Sequence, residues 1–88
     1  MFYSVYILYS HKDQKLYVGC TKDLQSRLER HNTGRVNATK YRRPLSLIHS
    51  EEYGDKTQAF NRERFLKSLW GSREKNKIKE QYLRLNHS

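Results

Sequence analysis

The sequence contains one cysteine, Cys20, one proline, Pro44, four glycines and nine acidic residues among 88. A lone thiol excludes an internal disulfide and any zinc site built on several thiolates, so Cys20 reads first as a small buried apolar side chain. With so little proline and glycine, no linker, low-complexity segment or domain boundary is visible along the chain. No apolar run approaches the roughly 18 to 20 residues of a membrane-spanning helix. Met1 to Ser10 has neither the basic leader nor the small-residue cleavage site of an export signal, so a cytoplasmic protein is expected. At this length a second core would leave each half too small to fold without disulfides or metals. One domain over residues 1–88 is therefore expected.

The shortage of acid sets the charge. Eighteen Lys and Arg against nine Asp and Glu give +9, and so small a body at that charge attracts polyanions, with nucleic acid the leading partner class. Hydrophobic residues make up only 35%, but 12% aromatic residues spaced through the apolar segments can fill a small core.

Residues 2–10 alternate as a strand, with Val5, Ile7 and Tyr9 on one face and Tyr6 and Leu8 on the other. His11 to Lys15 is a polar connector, and Leu16 to Cys20 resumes the alternation, predicting an antiparallel hairpin. Thr21 or Asp23 can cap a helix carrying Leu24, Leu28 and His31, which Asn32-Thr33-Gly34 stops with a left-handed turn. Residues 33–44 lack apolar periodicity and are long for a mere connection, a length that often marks function. Leu45 to Tyr53 reads as a third strand. Asp55 with Gln58 resembles a capping box opening a helix through Trp70, with Gly71 as its stop. Ser72 begins a last charged helix with an apolar stripe of Ile78, Tyr82 and Leu85. The expected class is α/β (α+β): a small three-stranded antiparallel sheet flanked by helices, in the order β-β-α-β-α-α.

Several residues sit awkwardly in this scheme. Glu63 falls inside the apolar arc of Ala59, Leu66 and Trp70, where a carboxylate needs a cation, a donor or a metal. It is either an ion-pair partner or a ligand for a hard divalent ion completed by phosphate oxygens and water. Arg27 and His31, four residues apart, project to one side of the first helix, as a solvated cation and a core-edge histidine or as a site. Tyr6 and Tyr17 are central in the paired strands, a position that also suits simple packing. Arg35, Lys40, Arg42 and Arg43, with Tyr41 among them, either solvate the long loop or bind phosphates while the ring packs on a sugar or base.

Val5-Tyr6-Ile7, then Tyr17-Val18-Gly19, then Arg27, His31 and Glu63 resemble the GIY-YIG nuclease domain across about residues 2 to 70. The resemblance is closest to small stand-alone bacterial members related to the nuclease domain of the UvrC excision-repair subunit. It is carried there by Arg27-Leu28-Glu29-Arg30-His31-Asn32-Thr33-Gly34, Arg42-Arg43-Pro44-Leu45 and Arg62-Glu63-Arg64. Two departures stand out. Val5 replaces the leading Gly of the first tripeptide. Cys20 follows the second tripeptide where repair nucleases of the family often carry lysine, so one phosphate-facing charge is missing.

The resemblance implies phosphodiester hydrolysis of DNA, in repair or processing of structured DNA, with one divalent ion, Mg²⁺ or Mn²⁺. It implies Glu63 as metal ligand, Arg27 on the phosphate oxygens, and Tyr6 and Tyr17 positioning water and phosphate. The general base is Tyr6, if a cation or metal lowers a phenol whose ordinary pKa is about 10, or His31, which titrates near neutrality when unperturbed. The residues leave that choice open. They also leave open a binding module that holds RNA or structured DNA without chemistry, and a structural protein whose last helix makes a homodimer. No separate DNA-binding domain is visible, so specificity is expected to be weak or supplied by a protein partner. The expected state is a monomer or weak homodimer.

Overall fold

The polypeptide, described by a computed structural model over residues 2–86, begins with its most buried element. The ends of the expected 1–88 domain, Met1, His87 and Ser88, lie outside the described residues. Strand β1 (Tyr3–Ser10) is the middle of a three-stranded antiparallel sheet of order β2-β1-β3, with β2 at Leu16–Thr21 and β3 at Leu45–Tyr53. Central placement explains why Ser4 to Ser10 are all buried. The alternation divides the core as the sequence predicts. Val5, Ile7 and Val18 pack with Ala59 and Leu66 of helix α2 (Lys56–Lys67), whereas Tyr6, Leu8 and Leu45 form a second cluster on the opposite face. Leu24 and Leu28 of helix α1 (Leu24–Asn32) cover that second cluster.

Local chemistry sets the boundaries. Asp23 caps α1 by accepting from the Ser26 N–H, and Gly34 takes the left-handed conformation after it at φ +79°. Asp55 caps α2 through the Thr57 N–H rather than through Gln58, the partner a capping box would use. The order β-β-α-β-α-α holds, with a short 3₁₀ turn (Leu69–Gly71) ahead of the last helix, α3 (Ser72–Leu85).

That turn corrects one expectation. Helix α2 stops at Lys67, not Trp70, so the inward arc ends at Leu66, and Leu69 and Trp70 stand 91% and 85% exposed. The helix breaks at Ser68, whose backbone is extended at ψ 168°, and Gly71 fits the turn that follows. That glycine packs so tightly on the end of α2 that a Cβ there would lie 2.2 Å from the Phe65 carbonyl oxygen, and its φ of −86° is not left-handed. In the stripe of α3, Ile78 joins the core and Tyr82 stacks on Tyr9 at 5.5 Å, but Leu85 is 80% exposed.

One polar network ties β3, α2 and α3 together. Glu51 receives both arms of Arg62, at 2.8 and 2.9 Å, and the Tyr53 hydroxyl at 2.6 Å, while Arg62 also pairs with Glu74. Burial pushes the Glu51 carboxyl up, but hydrogen bonds from Arg62, Tyr53 and His49 outweigh it and hold it down to about 2. A depressed carboxyl stabilises the fold above its unfolded pKa, so the contribution is complete above about 4.5 and lost as pH falls towards 2. The full contribution is on the order of 3 kcal/mol. Urea unfolding at pH 5 and pH 3 should show stability falling with acid in the wild type and a much smaller pH dependence in Arg62→Gln. An undiminished dependence in that variant would assign the acid sensitivity elsewhere.

Candidate functional site

The register of the hairpin decides what surrounds Tyr6. Tyr6 pairs with Gly19, and its ring lies across that glycine so closely that a Cβ would sit 2.3 Å from the phenolic oxygen. Gly19 is thus a space requirement of Tyr6 rather than a turn residue. The Tyr6 side chain, 1% exposed, reaches α1, where its hydroxyl meets His31 Nε2 at 2.9 Å. On the other side of the imidazole, Nδ1 meets Thr39 Oγ1 at 2.7 Å. His31 and Thr39 are fully buried, and each ring nitrogen faces a hydroxyl that can donate or accept. Tyr17 closes the cluster, with its ring centroid 5.1 Å from His31 and 6.4 Å from Tyr6.

Burial fixes the protonation states. Burial, then Arg27 and Arg30, push His31 down to about 4, so the imidazole is neutral at pH 7. Burial, then Tyr17, push the Tyr6 phenol well above its usual value against the pull of Arg27, and Glu63 and Cys20 push it further. The lowering that an ionised Tyr6 base would need is therefore absent in the chain's own electrostatics. Those same influences place Arg27 of α1 and Glu63 of α2 within electrostatic range of one hydroxyl.

Arg27 is half-buried and lines a cleft of about 340 Å³ together with Cys20 and Lys22. Glu63 is 22% exposed and pairs with Lys67 Nζ at 3.0 Å, one turn along α2. The ion-pair alternative for Glu63 is thus present in the geometry. Burial and the Glu63 carboxylate push the Cys20 thiol up, which puts Glu63 near the wall of the same cleft.

The 35–43 loop is more firmly anchored than its composition suggests. Thr39 holds it to His31, and the Ser10 hydroxyl donates to the Arg42 carbonyl at 2.6 Å. Arg42 departs from the expected free cation: its Nε binds Asp13 at 2.8 Å and its Nη2 approaches the Leu16 carbonyl at 3.4 Å. Arg43 donates to the carbonyls of Lys40 and Asn32 yet stays exposed, as does Arg35. Tyr41 is 74% exposed, with Lys40 Nζ 4.9 Å above its ring. Sequence reasoning missed Thr39 and the spatial role of Gly19. A threonine in a polar run carries no signal, whereas a glycine opposite a tyrosine becomes visible once hairpin register is assigned.

Comparison with known proteins agrees with this geometry. The family model described as the GIY-YIG catalytic domain matches residues 2–79. A UPF0213 protein of Bacillus velezensis is 43% identical over 72 residues, covering 81% of this chain and 68% of the relative. One from Staphylococcus aureus is 39% identical over 69 residues, covering 77% and 84% respectively. The solution NMR structure of a UPF0213 protein from Bacillus halodurans superposes with a TM-score of 0.56 at 29% identity, covering 89% of this chain and 83% of that one. No helix among the described residues is long and apolar enough to cross a membrane. With its motif tyrosines, arginine, histidine and glutamate on one small three-stranded scaffold, the chain belongs to the GIY-YIG family, a nuclease-type family.

Proposed function

We propose that the protein is a metal-dependent endonuclease that hydrolyses phosphodiester bonds in DNA, acting on structured DNA in repair or processing. The carrying observation is the convergence on one buried hydroxyl, that of Tyr6, of His31 by hydrogen bond and of Tyr17, Arg27 and Glu63 by electrostatic influence. A cation and a carboxylate within electrostatic range of a buried, hydrogen-bonded phenol are surroundings of the kind that functional sites gather.

Glu63 fits a hard divalent ion, Mg²⁺ or Mn²⁺, that takes one protein carboxylate and completes its shell with water and phosphate oxygens. Among the described residues no group of three or more His, Cys, Asp and Glu offers a closed cage, so Glu63 would be a lone protein carboxylate on the ion. Lys67 would release Glu63 on binding. When bound, the ion supplies Lewis-acid stabilisation of the leaving oxygen. Arg27 presents a planar pair of donors to the phosphate, where charge develops in the transition state. Tyr6 acts as a neutral phenol: with its O–H donated to His31 Nε2, its oxygen accepts a proton from the attacking water while its own proton passes to the imidazole, whose basicity the negative charge of the entering phosphate would raise from the low value that burial sets. His31 Nδ1–H then donates to Thr39 Oγ1, which holds the ring in the accepting tautomer. Tyr17, less buried, positions water and phosphate.

A second reading, a nucleic-acid-binding module without chemistry, is favoured by the Lys67 partner that already satisfies Glu63. Branched, duplex and single-stranded DNA, with RNA alongside, should separate the two. Cleavage should require Mg²⁺ or Mn²⁺, and Glu63→Gln should lower the single-turnover rate on the order of 10²- to 10³-fold while affinity measured in calcium stays nearly unchanged. A fully active variant would return Glu63 to its ion pair, and a wild type that binds but never cuts would favour the binding module.

The loop separates by side chain. Arg42→Ala should lower Tm by a few degrees, since it frees Asp13 and loosens the hairpin end. Arg35→Ala with Arg43→Ala should leave Tm close to wild type and flatten the slope of log affinity against log salt by about 1.4 to 1.8, roughly 0.7 to 0.9 for each lost phosphate contact. An unchanged slope in the Arg35/Arg43 pair would show that this part of the loop is merely solvated.

A further inference from the structure

Among the described residues that line the 340 Å³ cleft, three are cations, Arg27, Lys22 and Lys56, and none is a carboxylate. Lys22 enters from the end of β2, directly before the α1 cap Asp23, and Lys56 is the first residue of α2, directly after the cap Asp55. Each neighbouring aspartate is turned to its helix, accepting from the Ser26 and Thr57 N–H groups. Among the described residues neither lysine forms an ion pair within 4.0 Å. Instead, each ammonium is held over an aromatic wall of the cleft: Lys22 Nζ is 5.7 Å from the centroid of Tyr3, and Lys56 Nζ is 5.3 Å from that of Phe60. Cation–π contact restrains a head group without cancelling its charge. Like charges converging on one concave surface repel unless an anion enters.

We infer that Lys22 and Lys56 clamp phosphate in this cleft beside Arg27, supplying from two other elements the positive charge that Cys20 does not. The inference rests on the nucleic-acid reading above and specifies what that site holds. Three positive charges exceed what a single phosphodiester brings. The fitting ligand is therefore two consecutive phosphates of one strand or a terminal phosphomonoester, whose charge approaches about −2 at neutral pH. The division of labour follows the side chains. Arg27 offers a rigid fork for one phosphate geometry, whereas lysine is a compact charge on a flexible stem that follows a mobile backbone.

The test measures binding of a duplex oligonucleotide in calcium across a salt series, with and without a 5′-terminal phosphate, alongside Tm. Lys22→Gln with Lys56→Gln should flatten the slope of log affinity against log salt by about 1.8, at roughly 0.9 per contact on duplex DNA. Lys22→Arg with Lys56→Arg, which keeps both charges, should retain the slope, and Tm should stay constant throughout. Equal flattening on both oligonucleotides assigns the clamp to internal phosphates, and flattening confined to the phosphorylated one assigns it to a strand end. An unchanged slope in the glutamine pair, with a wild type that still binds and cleaves, overturns the clamp and leaves the nuclease reading standing. A wild type that binds neither oligonucleotide overturns both.

Discussion

A line of hydrogen bonds from the Tyr6 phenol through the His31 imidazole to the Thr39 hydroxyl crosses the space between β1, α1 and the long loop. All three residues are buried. Removing one member would strand a buried polar partner, a loss on the order of 1 to 3 kcal/mol. The line of hydrogen bonds therefore acts as a staple between elements far apart in sequence, and its burial keeps the tyrosine and histidine neutral in a protein carrying +9 overall.

The surrounding features serve that staple. Gly19 leaves room for the Tyr6 ring, and Tyr17 presses on His31 from the hairpin's second strand. Ser10 and Arg42 pin the loop that delivers Thr39, and Arg42 draws its counter-charge from Asp13 in the β1–β2 connector. Burial, which holds His31 near 4, is what makes the imidazole available as an acceptor at neutral pH. The cationic side chains lie outside this buried line, on Arg27, Lys22 and Lys56 around the cleft and on Arg35 and Arg43 along the loop.

Much of this was legible in the sequence wherever a short-range rule governs. Period-two alternation gave both faces of β1, and Asp23, Gly34 and Asp55 marked helix ends through capping and left-handed geometry. The reach of Tyr6 to His31 was not legible, because it depends on hairpin register and on the depth of α1 over the sheet. The end of α2 was misjudged because helical periodicity carries no information about the extended backbone at Ser68, and Trp70 consequently faces outward. Arg42 resembles its neighbours in composition, yet among the described residues it alone of the loop cations meets an acid, one placed opposite it by the hairpin. Lys22 and Lys56 stood in no motif, since their shared cleft is assembled from separate elements.

Both the staple and the proposed proton path depend on the protonation of the histidine at their centre. Nitrogen-15 chemical shifts of the His31 ring, followed by NMR across a pH titration, report its tautomer and its pKa together. A neutral ring with Nδ1 protonated, persisting until the pH approaches about 4, is the predicted result. A ring that protonates near its ordinary pKa of about 6.5 would contradict it, because His31 would then be a solvated base rather than the buried acceptor that holds Tyr6 in place.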